Sequence, residues 1–192
     1  MKKVKIGNQR LLNPKPVILV GTYLDDKPNF ITVSWASLTS ENPPTMMVVI
    51  RNIRYSLKGI RENMTFSVNI PSTSMVKETD YCGMVSGSET DKVQDCNFKI
   101  FYGNLATAPL IEGCPVNIEC EVYKIIPLGE QTLVIGKIVE TYISEECFTN
   151  DIPDIRKIDP ICTCTFTESS EGYYTIGDFL GTWGIGEELK KK

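Results

Sequence analysis

Residues 29–40, N-F-I-T-V-S-W-A-S-L-T-S, combine a run of hydroxyl side chains with one of the chain's two tryptophans. Phe30, Thr32, Ser34 and Ala36 alternate with Ile31, Val33 and Trp35, which in an extended chain sends the two sets to opposite faces. One face can grip a core while the other offers small donors to a flat ligand. A second candidate follows at residues 51–63, where Arg51, Arg54, Lys58 and Arg61 stand against the single Glu62. Leu57, Ile60 and Met64 lie at helical spacing, with Asn52 or Ser56 placed to cap the helix. A helix start with loose amides, a hydroxyl and a guanidinium is a seat for a phosphate. The third candidate is residues 81–92, whose Gly83, Gly87 and small hydroxyls let backbone approach a ligand, with Lys92 supplying a second positive charge. The plainer readings are an edge strand whose hydroxyls meet water and a solvated charged helix face.

The composition removes whole chemistries. There is no histidine, so Ser-His-Asp and Cys-His catalysis and histidine metal sites are excluded. The seven cysteines contain no C-x-x-C, and Cys162 with Cys164 lacks a second close pair, so no metal site is expected and the thiols read as reduced. A net charge of -4 argues against a nucleic-acid partner. The basic start is followed by an apolar run of only Val17 to Val20, too short for a secretory core or a membrane span, which points to the cytoplasm.

The elements that must position these residues are mostly strands. At 192 residues a single domain is expected, with 144–192 as a C-terminal extension. Strands are read at 16–23, 29–40, 45–50, 65–70, 116–126 and 131–143, broken by turn residues at 24–28, at 41–44 with its two prolines, and at 127–130. Helices are read after residue 52 and at 72–81, the latter with Met75, Val76 and Thr79 inward. In the first long strand Val116, Ile118, Cys120 and Val122 alternate with Asn117, Glu119, Glu121 and Tyr123, predicting one core face and one face that is wet or pairs with another subunit. Gly136 suggests a bulge. Residues 151–160 read as a linker, and the aromatic, glycine-rich 173–183 as a tail packed on its own barrel or on a partner. The sum is a mainly β, antiparallel, closed or nearly closed barrel with a few short helices.

In order, the segments N-F-I-T-V-S-W at 29–35, Pro43-Pro44, Arg54-Tyr55-Ser56, Ile60-Arg61-Glu62, F-S-V-N-I-P at 66–71, Tyr81-Cys82-Gly83, Ser86-Gly87, Asp91-Lys92, A-P-L-I at 108–111, C-P-V-N-I-E-C at 114–120 and Tyr173-Tyr174 with Gly177 resemble the flavin reductase-like family, which has an FMN-binding split barrel and includes the flavoredoxins. The resemblance implies that Thr32, Val33, Ser34, Trp35, Ala36 and Ser37 line the isoalloxazine and ribityl chain. It further implies that Asn52 to Ser56, with Arg54 and Tyr55 among them, hold the phosphate and that Ser86, Gly87 and Lys92 close the site, while Asn29, Arg51, Cys82, Gly83 and Val85 are further cofactor-binding candidates. Cys82 itself reads as a small buried residue. Flavin chemistry demands no acid or base from the protein, so the lack of histidine is tolerated. Family members that use a nicotinamide donor carry G-x-H-x-x-x-x-G, and here Gln131 takes the histidine position. The expected function is an FMN-binding oxidoreductase, homodimeric, using NAD(P)H or a redox partner protein. The alternatives are an FMN-binding electron carrier and a split-barrel module for another phosphorylated cofactor such as pyridoxamine phosphate.

Overall fold

The computed structural model describes residues 1–165 and 171–186; the remainder of the expected extension lies outside them. Seven strands form one antiparallel sheet: β1 (Ile18–Leu24), β2 (Lys27–Val33), β3 (Ala36–Glu41), β4 (Pro44–Arg51), β5 (Thr65–Ile70), β6 (Val116–Leu128) and β7 (Gln131–Ile143). Their order is β2-β1-β5-β6-β7-β4-β3. The two edges, β2 and β3, are consecutive in the chain and meet at Ser34–Trp35, where the Trp35 carbonyl accepts from Val49 N at 2.9 Å. The sheet thus curls until its edges face each other without a full ladder, leaving a split barrel with a seam.

The expected single strand over 29–40 is therefore two strands. β2 is held by β1 and β3 by β4, so the residues between them leave one ladder and enter another. The β1–β2 turn is Asp25-Asp26 with both residues at positive φ, 51° and 60°, the conformation that matches a two-residue hairpin to strand twist. The long β6–β7 hairpin carries register shifts after Ile135 and Ile138. A Cβ on Gly136 would lie 2.5 Å from the Phe66 ring, so glycine lets the bulged strand press onto the core.

The barrel interior is filled by alternating inward residues, among them Val20, Ile31, Val33, Val48, Ile50, Phe66, Val68, Cys120 and Val134. Helix α1 (Ser56–Asn63) adds Leu57 and Ile60 to this cluster. The opposite faces of β1 and β2 are covered too: Leu19 and Phe30 pack with Cys82, Ile111 and Cys114 beneath α2 (Val76–Met84) and α3 (Lys92–Asp95). The expected wet face on β6 holds at Glu121 and Tyr123, which are exposed, but fails at Asn117 and Glu119. Asn117 is 4% exposed and Glu119 fully buried, because the segment before β6 folds back over them. The Glu119 carboxylate accepts from Asn104 N at 2.9 Å, Leu105 N at 2.8 Å and Tyr142 Oη at 3.0 Å. Asn117 Nδ2 donates to Asn69 Oδ1 and to the Ile111 carbonyl.

Two further expectations change. Within 151–160 a fourth helix, α4 (Ile155–Ile158), is capped by Asp154 and buries Ile158 against Val116 and Cys147, so this stretch is packed structure. Strand Glu171–Tyr174 pairs with Cys162–Thr165, and Tyr173 Oη donates to Asp80 Oδ1 at 2.8 Å. Beyond Tyr174, however, the tail does not cover the barrel: Phe179, Leu180 and Trp183 are exposed. No described helix is long and apolar enough to cross a membrane.

Candidate functional site

At the seam a cavity of about 640 Å³ opens between the end of edge strand β2 and the end of β4. Its lining includes Ile31, Thr32, Val33, Ser34 and Trp35 from the β2 end, and Val49, Ile50 and Arg51 from β4. Arg54 from the turn before α1 and Glu130 with Gln131 from the β6–β7 hairpin complete one side, and Arg10, Lys15 and Thr165 the other. The register explains the convergence. Gln131 pairs with Arg51, and the Asn52 amide nitrogen donates to the Glu130 carbonyl at 2.9 Å, so the hairpin turn and the end of β4 travel together.

Of the residues singled out in the sequence, Thr32, Val33, Ser34, Trp35, Arg51 and Arg54 come together around this cavity. The others lie outside its lining. The Asn29 side chain, 4% exposed, donates to Ser56 Oγ at 2.7 Å, pinning the start of α1 to β2. Neither Ser56 nor Asn52 caps α1, whose first turn lacks a side-chain cap. Asn52 instead donates to the Gly129 carbonyl and accepts from Thr132 Oγ1 at 2.7 Å, because its backbone already belongs to the hairpin. Tyr55 Oη donates to Asp25 Oδ2, and this hydrogen bond, with desolvation second, pushes the phenol up to about 12. Gly87 sits where a side chain would strike Asn29 and Tyr55, and Gly83 where a Cβ would come within 3.2 Å of Thr32. Both glycines let the 81–92 segment lie close on β2.

Lys92 is not at the end of a loop but in α3, capped by Asp91. It is 4% exposed, and its ammonium donates to the Phe30 and Cys82 carbonyls, each at 2.8 Å. Burial lowers its pKa. Thr32 Oγ1 donates to the Thr79 carbonyl, which ties β2 to α2. Burial holds the Cys82 thiol protonated up to about 12, as its core position anticipated. Val85 follows α2 half-buried, Ser86 Oγ lies 2.8 Å from Ser88 Oγ, and Ala36 and Ser37 start β3, where Ser37 is exposed.

Arg10, Lys15 and Thr165 carried no signal in the sequence as cavity residues. They arrive by tertiary pairing: Asn13 Nδ2 donates to the Thr165 carbonyl at 3.0 Å and Asn13 Oδ1 accepts from Thr165 N at 3.1 Å, across 152 positions. Arg10 then lies over the Trp35 ring, 5.7 Å from its centroid. The cavity holds four cations and one carboxylate, Glu130. Its charge suits an anion, and the backbone at the open edge of β2 can meet hydrogen-bonding groups.

Residues 10–155 match the family model of the flavin reductase like domain, well over half of the chain. The solved flavoredoxin of Methanosarcina acetivorans is 38% identical, superposes with a TM-score of 0.91 and covers 98% of this chain and 100% of its own. Flavoredoxin of Desulfovibrio vulgaris (Miyazaki F) is 33% identical with a TM-score of 0.89, covering 97% of this chain and 100% of its own. Nitrilotriacetate monooxygenase component B from Bacillus cereus, 17% identical with a TM-score of 0.82 over 95% of this chain and 98% of its own, shares the fold.

Proposed function

This chain belongs to the flavin reductase-like family, and on that premise we propose that it is a redox protein that binds FMN at the barrel seam. The observation that carries the reading is the pairing of Arg51 and Arg54 with the open β2 edge around one cavity. Neither arginine has a carboxylate within ion-pair distance among the described residues, so both guanidiniums are available to a phosphate. A volume of about 640 Å³ lies inside the usual range for cofactor sites. Bound there, FMN supplies the redox chemistry. Ile31, Val33 and Ile50 lie at the base of the cavity, and the backbone at Thr32–Trp35 would hold the polar edge of the ring, with Trp35 beside it. The chain works as an oxidoreductase or relays electrons for a partner.

Gln131 favours the relay. It lines the cavity at the position where the family pattern for nicotinamide users has histidine. The exposed Phe179, Leu180 and Trp183 support a homodimer in which a second copy covers the tail. The cytoplasm is the proposed compartment, in keeping with seven free cysteines.

Purified protein soaked with FMN and passed through a desalting column tests this directly: about one flavin per chain is expected to stay bound, visible in the absorption spectrum. Anaerobic NADPH or NADH then separates the two forms, rapid bleaching marking a reductase and persistent colour a relay. A colourless protein after soaking would remove both.

A further inference from the structure

The cavity carries more positive charge than one flavin phosphate uses. Arg10, Lys15, Arg51 and Arg54 face it with Glu130 as the one lining carboxylate. Among the described residues the ion pairs are those of Lys58 with Asp25 and Glu62, so none of the four cations is neutralised at contact distance. A phosphate monoester carries about 1.5 to 2 negative charges at neutral pH. The lining therefore stays cationic after FMN has bound.

The four cations also belong to two places. Arg51 ends β4 and Arg54 lies in the turn that follows. Arg10 and Lys15 come from the N-terminal segment, fixed beside the cavity by the Asn13–Thr165 pair and by Lys15 facing Thr163. Trp35, which carries Arg10, is bonded to Val49, two residues before Arg51, about 7 Å along the strand. Arg10 and Lys15 thus enter the cavity from a segment separate from the one that brings Arg51 and Arg54. A guanidinium over an aromatic face keeps its edge N–H groups for an oxygen ligand. Lys15 Nζ donates to Asn13 Oδ1 at 3.0 Å, with two further donors available. Residues 1–24 contain Lys2, Lys3, Lys5, Arg10 and Lys15 and no carboxylate, in a chain whose net charge is -4. The local field at this side of the cavity attracts anions.

We propose that Arg10 and Lys15 form a second anion-binding point beside the flavin seat, and that the co-substrate this protein admits there is a small polyanion. The inference rests on the FMN reading and adds the charge class of the second ligand. It makes Arg10 and Lys15 specificity-determining residues, and it makes a neutral quinone a poor ligand.

Calorimetric titration of FMN-loaded protein with ferrocyanide, a polyanion that does not reduce FMN, tests the point by binding alone. One ferrocyanide per chain is expected, weakened about tenfold or more in Arg10→Gln/Lys15→Gln through loss of two charged partners. In a separate titration the FMN affinity of that variant should fall clearly less than its ferrocyanide affinity, and Lys2→Gln/Lys3→Gln should leave ferrocyanide binding within about twofold. No ferrocyanide binding, equal binding to the Arg10/Lys15 variant, an equal loss in the Lys2/Lys3 variant, or a parallel loss of FMN would each overturn the proposal. Failure of the wild-type protein to take up FMN at all appears earlier, in the flavin titration, and would instead remove the reading beneath it.

Discussion

Two sides of strand β2 use positive charge in opposite ways. Toward α2 and α3, Lys92 is buried and its ammonium closes on the Phe30 and Cys82 carbonyls, while Thr32 is hydrogen-bonded to Thr79. Toward the seam, Arg10, Lys15, Arg51 and Arg54 have no carboxylate partner among the described residues. A cation whose donors are satisfied inside the fold holds elements together. One whose donors face an open cavity is free to hold a ligand. Sequence position does not distinguish them, since Lys92 and Arg54 both follow a break in the pattern and both sit near hydroxyls.

Breaking each side should give different losses. Lys92→Ala leaves two buried carbonyls without a donor and a void under α3, and should lower the unfolding free energy by about 3 kcal/mol in a denaturant titration. Arg54→Ala should leave stability within about 0.5 kcal/mol, as surface changes do. Its FMN affinity should fall by about 1.5 to 3 kcal/mol, read by quenching of flavin fluorescence. An unchanged affinity would make Arg54 a solvated charge, and a stability loss matching that of Lys92 would erase the contrast between the two sides.

A smaller effect separates the sides by pH. Burial raises the thiol pKa values of Cys82, Cys114 and Cys120, so the folded protein keeps protons that the unfolded chain releases near pH 9. Stability from these groups is complete below that pH and is lost as pH rises toward about 12 for Cys82 and Cys120. By about pH 9.7 the loss should be about 1 kcal/mol per thiol. FMN binding should respond elsewhere, weakening below about pH 6 as the phosphate gains a proton. Denaturant midpoints and FMN titrations across pH 5 to 10 check both.

Much of this was legible in the sequence, for identifiable reasons. β5 occupies 65–70 as read and β7 occupies 131–143, because period-two patterns bounded by Pro71, Gly129 and Asn63 leave little choice. The misreadings arise where tertiary partners override the local pattern. Glu119 looks solvent-facing by alternation, yet the backbone of Asn104 and Leu105 folds over it. The 29–40 stretch alternates smoothly through Ser34–Trp35, although partners on different sides divide it into two strands. Arg51, Arg54 and residues 32–35 were visible as cavity candidates from their own neighbourhood. Arg10, Lys15 and Thr165 were not, since only the Asn13–Thr165 contact brings them there.

The central assignment is best tested by a crystal structure of the protein grown with FMN. The seam account predicts the phosphate within hydrogen-bonding reach of Arg51 or Arg54 and the ring against Thr32–Trp35. The smaller cavity of about 390 Å³ lined by Met75, Glu78, Cys96 and Phe98 offers the opposite result. Flavin found there, with the seam empty, would contradict the account.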